Sequence, residues 1–184
     1  AAAKEAKLRF VVGARLDFTD APSLLAYPTD RAAYGRLSQM LTDGKMRAKK
    51  GECSLALADL FAYGDGMRLV ALPGAAPDAD IALHLKALRR RFGRALYLAA
   101  HHLYSGDDAK RLARLGALAD SAQVPLVATN DVHAHIAQRR PLQDVLTCIR
   151  ENCTVAEAGF RLHANAERHL KSPEEMARLF RRCP

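Results

Sequence analysis

The stretch Val124–Leu146, VPLVATNDVHAHIAQRRPLQDVL, decides how the rest of the chain is read. Its opening apolar run, Val124 to Ala128, has the length of a buried strand in a parallel sheet. Thr129-Asn130-Asp131 breaks the run, Val132-His133 follows, and a basic, Pro-punctuated helix start closes the stretch. A polar loop at the C-terminal end of such a strand lies where barrels and open α/β sheets gather functional side chains. Asp131 and His133 are two residues apart. Extended backbone would point both side chains the same way, with Cα atoms roughly 6–7 Å apart. A carboxylate oxygen and an imidazole nitrogen converging there could share a divalent metal. The competing reading is a turn, because Asn-Asp pairs favour turns and an Asp before a helix caps it.

Outward from this stretch, short apolar runs alternate with amphipathic ones. Leu8–Leu16, Ser23–Tyr27, Met67–Leu72 and Ala95–His101 read as further strands. One helix is predicted from a Thr29 cap to about Leu41, with Gly44 past its end, and a short one from Ser54 to Leu60. A longer one covers about Asp78–Phe92, where Ile81, Leu85, Leu88 and Phe92 share a face. Ser105 is read as the cap of a helix reaching about Ala122, with Asp107 and Asp108 favourable to its dipole. The last two helices fall near Pro141–Arg150 and over Ser172–Arg181, the latter with Ser172 as cap and Pro173 at its first position. This alternation predicts a parallel α/β fold. A chain of 184 residues suffices for one core and one domain, with a helical C-terminal segment from about residue 136 to 184.

Composition narrows the class. With 26% charged and 49% hydrophobic residues the chain is globular rather than disordered. No apolar run approaches the ~20 residues that span a bilayer. The opening AAAKEAKLRF lacks the basic-then-apolar order of a signal peptide and reads as a piece of a longer polypeptide. Cys53, Cys148, Cys153 and Cys183 form no CxxC and no zinc-ribbon spacing, so free thiols in a reducing cytoplasm are expected. The net charge of +8 is clustered: Lys45, Arg47, Lys49 and Lys50 in one run, Arg89, Arg90 and Arg91 in another, then Arg139 and Arg140. Such clusters attract polyanions, although most charge runs are solvated faces. With 6% aromatics and no Trp there is no stacking platform for single strands. GxSxG, P-loop and GxGxxG patterns are absent.

Four motifs in order carry a resemblance: TDRAAYGRLSQMLTDGKMRAKKGE with LADL behind it, TNDVHAH, RRPLQDVLTCIRE, and LHANAERHLKSPEEMARLF. From about residue 4 to its end the chain resembles the PHP (polymerase and histidinol phosphatase) domain of bacterial error-prone DNA polymerases. These are C-family enzymes related to the polymerase III alpha subunit. The resemblance implies an α/β fold, a distorted (β/α)7-type PHP barrel with parallel strands and outer helices. Here it would be incomplete, because the chain enters after the first strand and helix, and a sheet edge would be left open.

In catalytic members of that family, His and carboxylate side chains from several strand ends hold a metal cluster. By the resemblance, the first motif, His-x-His, is missing here. Arg15 stands where relatives carry Glu, and a guanidinium has no lone pair to give. Pro22-Ser23 and Pro73-Gly74-Ala75 replace a His and a Cys or His. Asp131 and His133 match the last motif as candidate remnants. His101 is a weaker third candidate at its strand end, facing opposite to His102. His84, His163 and His169 lack ligand partners at useful spacing. Two ligands fall short of the three protein groups that a catalytic divalent metal takes. The site is therefore read as degenerate, with no catalytic residue and no cofactor in this chain. Zn or Mn would bind only with the missing N-terminal motif supplied. Arg15 is expected to fill the vacated position beside Asp131 by a charge-assisted hydrogen bond.

The function implied is an accessory, mainly structural domain of an error-prone DNA-directed DNA polymerase acting in damage tolerance. It would pack on the palm and thumb of the same chain, meet DNA through that parent enzyme, and lie in the cytoplasm without a membrane contact. The carboxylates of nucleotidyl transfer lie, in that family, in the separate palm. Two alternatives stand beside it: a metal-dependent phosphoesterase or 3'-5' proofreading exonuclease domain, and a non-catalytic basic module gripping phosphates through Lys45–Lys50 and Lys86–Arg94.

Overall fold

How the chain returns to its sheet after each strand sets the topology. A computed structural model describes residues 2–74 and 79–181. Cys183, Ala75 and the expected helix start at Asp78 lie outside the described residues. The chain divides into two units, residues 1–99 with 118–127, and residues 100–117 with 128–184. In order the elements are α1 (Ala2–Glu5), β1 (Ala14–Leu16), β2 (Leu24–Pro28), α2 (Arg31–Met46), α3 (Leu57–Tyr63), β3 (Met67–Ala71), α4 (Ala79–Phe92) and β4 (Leu96–His101). Then come α5 (Asp108–Ala122), β5 (Leu126–Thr129), α6 (Arg140–Glu151), α7 (Val155–Ala158) and α8 (Pro173–Leu179).

The fold is mixed α/β, with one five-stranded sheet in the order β1-β2-β3-β4-β5. The uniformly parallel layout read from the sequence does not hold. β1 and β2 are antiparallel, with Arg15 opposite Leu25, and so are β2 and β3, with Leu25 opposite Val70. β3 and β4 are parallel, with Val70 opposite Tyr97. The reason is the connection. No helix separates β1 from β2, so the chain turns straight back. Two helices separate β2 from β3 and return the chain to the end it left, where the Thr29 N–H donates to the Gly66 carbonyl at 3.0 Å. Among the described residues one α-helix, α4, followed by a 3₁₀ turn at Gly93–Ala95, carries the chain between β3 and β4 and yields the parallel pair.

Leu24, Ala26, Leu69, Ala71, Leu96 and Leu98 are fully buried, the alternate positions of three neighbouring strands. On α4 the predicted face is the buried one, through Ile81, Leu85 and Leu88. Several boundaries differ from the sequence reading, among them α3, at Leu57–Tyr63 rather than Ser54–Leu60, and α5, which starts at Asp108 rather than next to Ser105. Residues 8–13 form no strand, and Leu8, Phe10 and Val11 are exposed, because an apolar run becomes a strand only where a neighbour takes its main-chain hydrogen bonds. Asp30 rather than Thr29 caps α2, accepting the Ala33 N–H at 2.7 Å. Gly44 lies inside α2 rather than past its end. A Cβ there would stand 2.7 Å from both Cys53 Sγ and Leu55 Cδ2, so the residue permits close packing against residues 53–55.

In the second unit, α8 starts as predicted, the Ser172 hydroxyl accepting the Glu175 N–H at 3.2 Å. α7 was not legible beforehand; the Thr154 N–H donates to the Glu157 carboxylate at 3.1 Å at its start. No helix among the described residues is long and apolar enough to cross a membrane.

Candidate functional site

The loop that follows β5 is anchored before it offers any chemistry. Asn130 is buried, and its Nδ2 donates to the main-chain oxygens of Glu167 at 2.8 Å and His169 at 2.5 Å. The N–H groups of His133 and Ala134 both donate to the Arg168 carbonyl, at 2.8 and 3.2 Å, and the Leu170 N–H returns to the Ala134 carbonyl at 3.1 Å. Asn165 extends the same strap, donating to the Leu103 carbonyl at 2.6 Å. The segment 165–170 thus fixes the loop through main-chain atoms.

Asp131 has φ +42°, in the left-handed region that Asp tolerates better than most residues. The extended geometry expected for Asp131 and His133 is therefore not what joins them. The kink does so instead, leaving Asp131 Oδ1 3.7 Å from His133 Nε2, beyond a hydrogen bond. The other Asp131 oxygen is ion-paired with the Arg168 guanidinium. The Arg168 side chain is three-quarters covered, and burial followed by nearby Arg111 lowers its pKa.

Three imidazoles surround this pair, each shifted toward its neutral form. His101 is pushed down to about 4 by burial first, then by Arg111 and Arg168, against the opposing pull of Asp108. Burial and then Arg150 lower His133. Burial, then His133 and Arg140, lower His163, whose ring lies 5.0 Å from that of His133. A cavity of about 20 Å³ beside two of them, His133 and His163, is also lined by Arg140, Asn165 and Arg168 and has room for about one water. Neutral imidazoles and a carboxylate are metal-ligand types, but Asp131 already holds a cation. Among the described residues no group of three or more His, Cys, Asp and Glu side chains is arranged to hold a metal ion. As they stand, these residues do not fit a catalytic metal.

The remaining predicted residues are dispersed. Arg15 is more than half exposed, ion-paired with Asp17 at 2.8 Å and donating to Ser23 Oγ at 3.4 Å. Of the basic residues, Arg47 pairs with Asp59 at 2.9 Å and Arg91 with Asp65 at 2.8 Å. Arg140 pairs with Asp144 at 3.1 Å and donates to the His163 carbonyl. Arg89 is partly buried, while Lys45, Lys49, Lys50, Arg90 and Arg139 are exposed. Sequence reasoning set His163 aside for want of ligand partners and did not single out Arg168, Asn130 or Asn165 as site residues. Arg168, His163 and Asn165 lie in the motif LHANAERHLK, whose histidines have no ligand spacing of their own, and Asn130 lies in TNDVHAH.

The error-prone DNA polymerase of Caulobacter vibrioides is 51% identical over 184 residues, 100% of this chain. The chain is similar over its whole length to error-prone DNA polymerases. That of Rhodopseudomonas palustris is 52% identical over 180 residues, 97% of the chain, and error-prone DNA polymerase 1 of Agrobacterium fabrum 49% over 183 residues, 100% of it. The chain spans only 16–17% of the length of these relatives. No protein-family model matches it.

Proposed function

We propose that this chain is an accessory PHP domain of a C-family, error-prone DNA polymerase, with a structural rather than a catalytic role. The parent enzyme extends DNA in the cytoplasm across damaged template, and its carboxylates for nucleotidyl transfer lie in another part of the polypeptide. The strands here form part of a distorted barrel. The observation that carries the non-catalytic reading is the ion pair at Asp131: a guanidinium from the chain itself neutralises the carboxylate that a metal would need. An apolar surface supports a packing role. On α6, Leu142, Val145, Leu146 and Ile149 are all about half exposed or more, a face suited to palm or thumb. The exposed Lys45, Lys49 and Lys50 add positive surface toward DNA.

The second reading is a metal-dependent phosphoesterase or proofreading nuclease. It draws on the neutral imidazoles of His101 and His133 beside Asp131, and needs an upstream His-x-His to complete the set. Metal analysis and phosphodiesterase assays on the full-length protein separate the two. The accessory reading expects no turnover with Zn²⁺ or Mn²⁺ and no change on Asp131→Ala. Tightly bound metal with turnover that Asp131→Ala abolishes would replace it with the second.

A further inference from the structure

Outside that cluster, the end of α6 brings two cysteines together by a main-chain device. Asn152 is left-handed, at φ +51° and ψ +50°. Its N–H donates to the Ile149 carbonyl at 3.3 Å, and the next N–H, of Cys153, reaches back to the Cys148 carbonyl at 3.0 Å. This pair of bonds is a Schellman cap, which sets the side chain of its last residue against that of the residue five earlier. Here those two residues are Cys148 and Cys153. Both thiols are free, Cys148 buried and Cys153 partly exposed, and burial followed by the nearby Cys153 pushes the Cys148 thiol up. Residues joined through such a main-chain bond have Cα atoms no more than about 7 Å apart, within or near the span a disulfide bridges. Both cysteines also line an open cleft of about 620 Å³ with Val145, Ile149 and Val155, so a small oxidant can reach them from solvent.

We propose that Cys148 and Cys153 are a redox-responsive thiol pair that hydrogen peroxide closes to a disulfide. The more accessible Cys153 reacts first: its thiolate attacks the peroxide oxygen, the O–O bond breaks, and Cys153 becomes a sulfenic acid as the peroxide leaves as water. The Cys148 thiol then attacks the Cys153 sulfur, the S–O bond breaks, and a second water leaves. Both thiols are oxidised and one peroxide is reduced. The bridge closes only the short loop through Asn152. In a reducing cytoplasm such a bridge is transient, which suits a sensor rather than a structural staple. The inference is independent of whether the domain is catalytic.

The sequence supplies its own test. Arg150 lies between the two cysteines, Pro141 protects the Arg140 bond, and Arg161 closes the second fragment, so trypsin separates residues 140–150 from 151–161. Native full-length protein treated with hydrogen peroxide, alkylated and digested without reductant should yield these two peptides as one linked species. Dithiothreitol should release them, and Cys153→Ser should abolish the link. Cys148→Ala, which keeps an apolar side chain in a buried position, should abolish it too and let Cys153 proceed to sulfinic acid. Wild-type protein in which Cys153 stays reduced, or is over-oxidised without the linked species forming, overturns the proposal.

Discussion

Leu24, Leu69, Leu96 and Leu98 occupy neighbouring strands of the first unit with no exposed surface, and its helices add the equally buried Met40, Leu85 and Leu88. In the second unit, among the described residues, Leu115 is the one large side chain buried completely. There Val145, Leu146, Ile149 and Phe160 face solvent. The second unit is tied instead by polar groups to main-chain atoms: Asn130 to 167 and 169, Asn165 to 103, Arg140 to 163. Apolar burial is non-directional and tolerates small displacements, whereas a hydrogen-bonded strap works only in one geometry. A unit of the second kind suits a fixed loop and is fragile to single polar substitutions.

The largest effect should come from the first unit. Leu98→Ala, at a fully buried position of β4, is expected to cost about 2–5 kcal/mol in urea unfolding. A loss under about 1 kcal/mol would break the contrast, since it would mean the strand face is not close-packed.

Next is Asn130→Ala, which strands two carbonyl oxygens. Because Asn130 Oδ1 is buried without a partner, the substitution also relieves one unsatisfied acceptor, and a cost of about 1–2 kcal/mol is expected. Hydrogen exchange should accelerate at His133, Ala134 and Leu170, while the β2–β3 amides keep their protection. Equal acceleration in both places would erase the distinction between the units.

Acid should reveal the same asymmetry. His101 binds its proton near pH 4 when folded, against an ordinary value of 6.5, so between these values the unfolded chain holds more protons. Its contribution is complete above pH 6.5 and is lost as pH falls toward 4. His133 and His163, also lowered, add slope of the same sign. Stability measured from pH 7 to 4 should fall, and His101→Asn should flatten part of that fall. An unchanged slope would place the titration elsewhere.

The smallest effects belong to exposed charge. Arg15→Glu, at a half-exposed ion pair with Asp17, should cost less than about 1 kcal/mol by thermal melting. Reversing Lys49 and Lys50 should leave stability within about 0.5 kcal/mol. If this surface meets DNA, the reversal should lower both affinity and the salt dependence of binding in titrations at several salt concentrations. No change in either would make it a solvated face.

Where the chain packs by hydrocarbon, its sequence was legible. Ile81, Leu85 and Leu88 recur at helical spacing and are the residues α4 buries, and the strand at Met67–Ala71 was bounded by its own turn residues. Such periodicities are local, so composition and spacing by themselves determined the α/β class, most of the elements and the Asp131 loop as a place of interest. Strand direction was not local. It depended on whether none, one or two helices bring the chain back to the sheet, and so the antiparallel β1–β2 and β2–β3 pairs emerged only in three dimensions. The partner of Asp131 is likewise a tertiary fact. Arg168 is 37 residues away in sequence, carried there by a strap held through main-chain bonds and the Asn130 side chain. Spacing rules see residues that share one helix or strand, and a cluster assembled by a distant strap has no period for them to find.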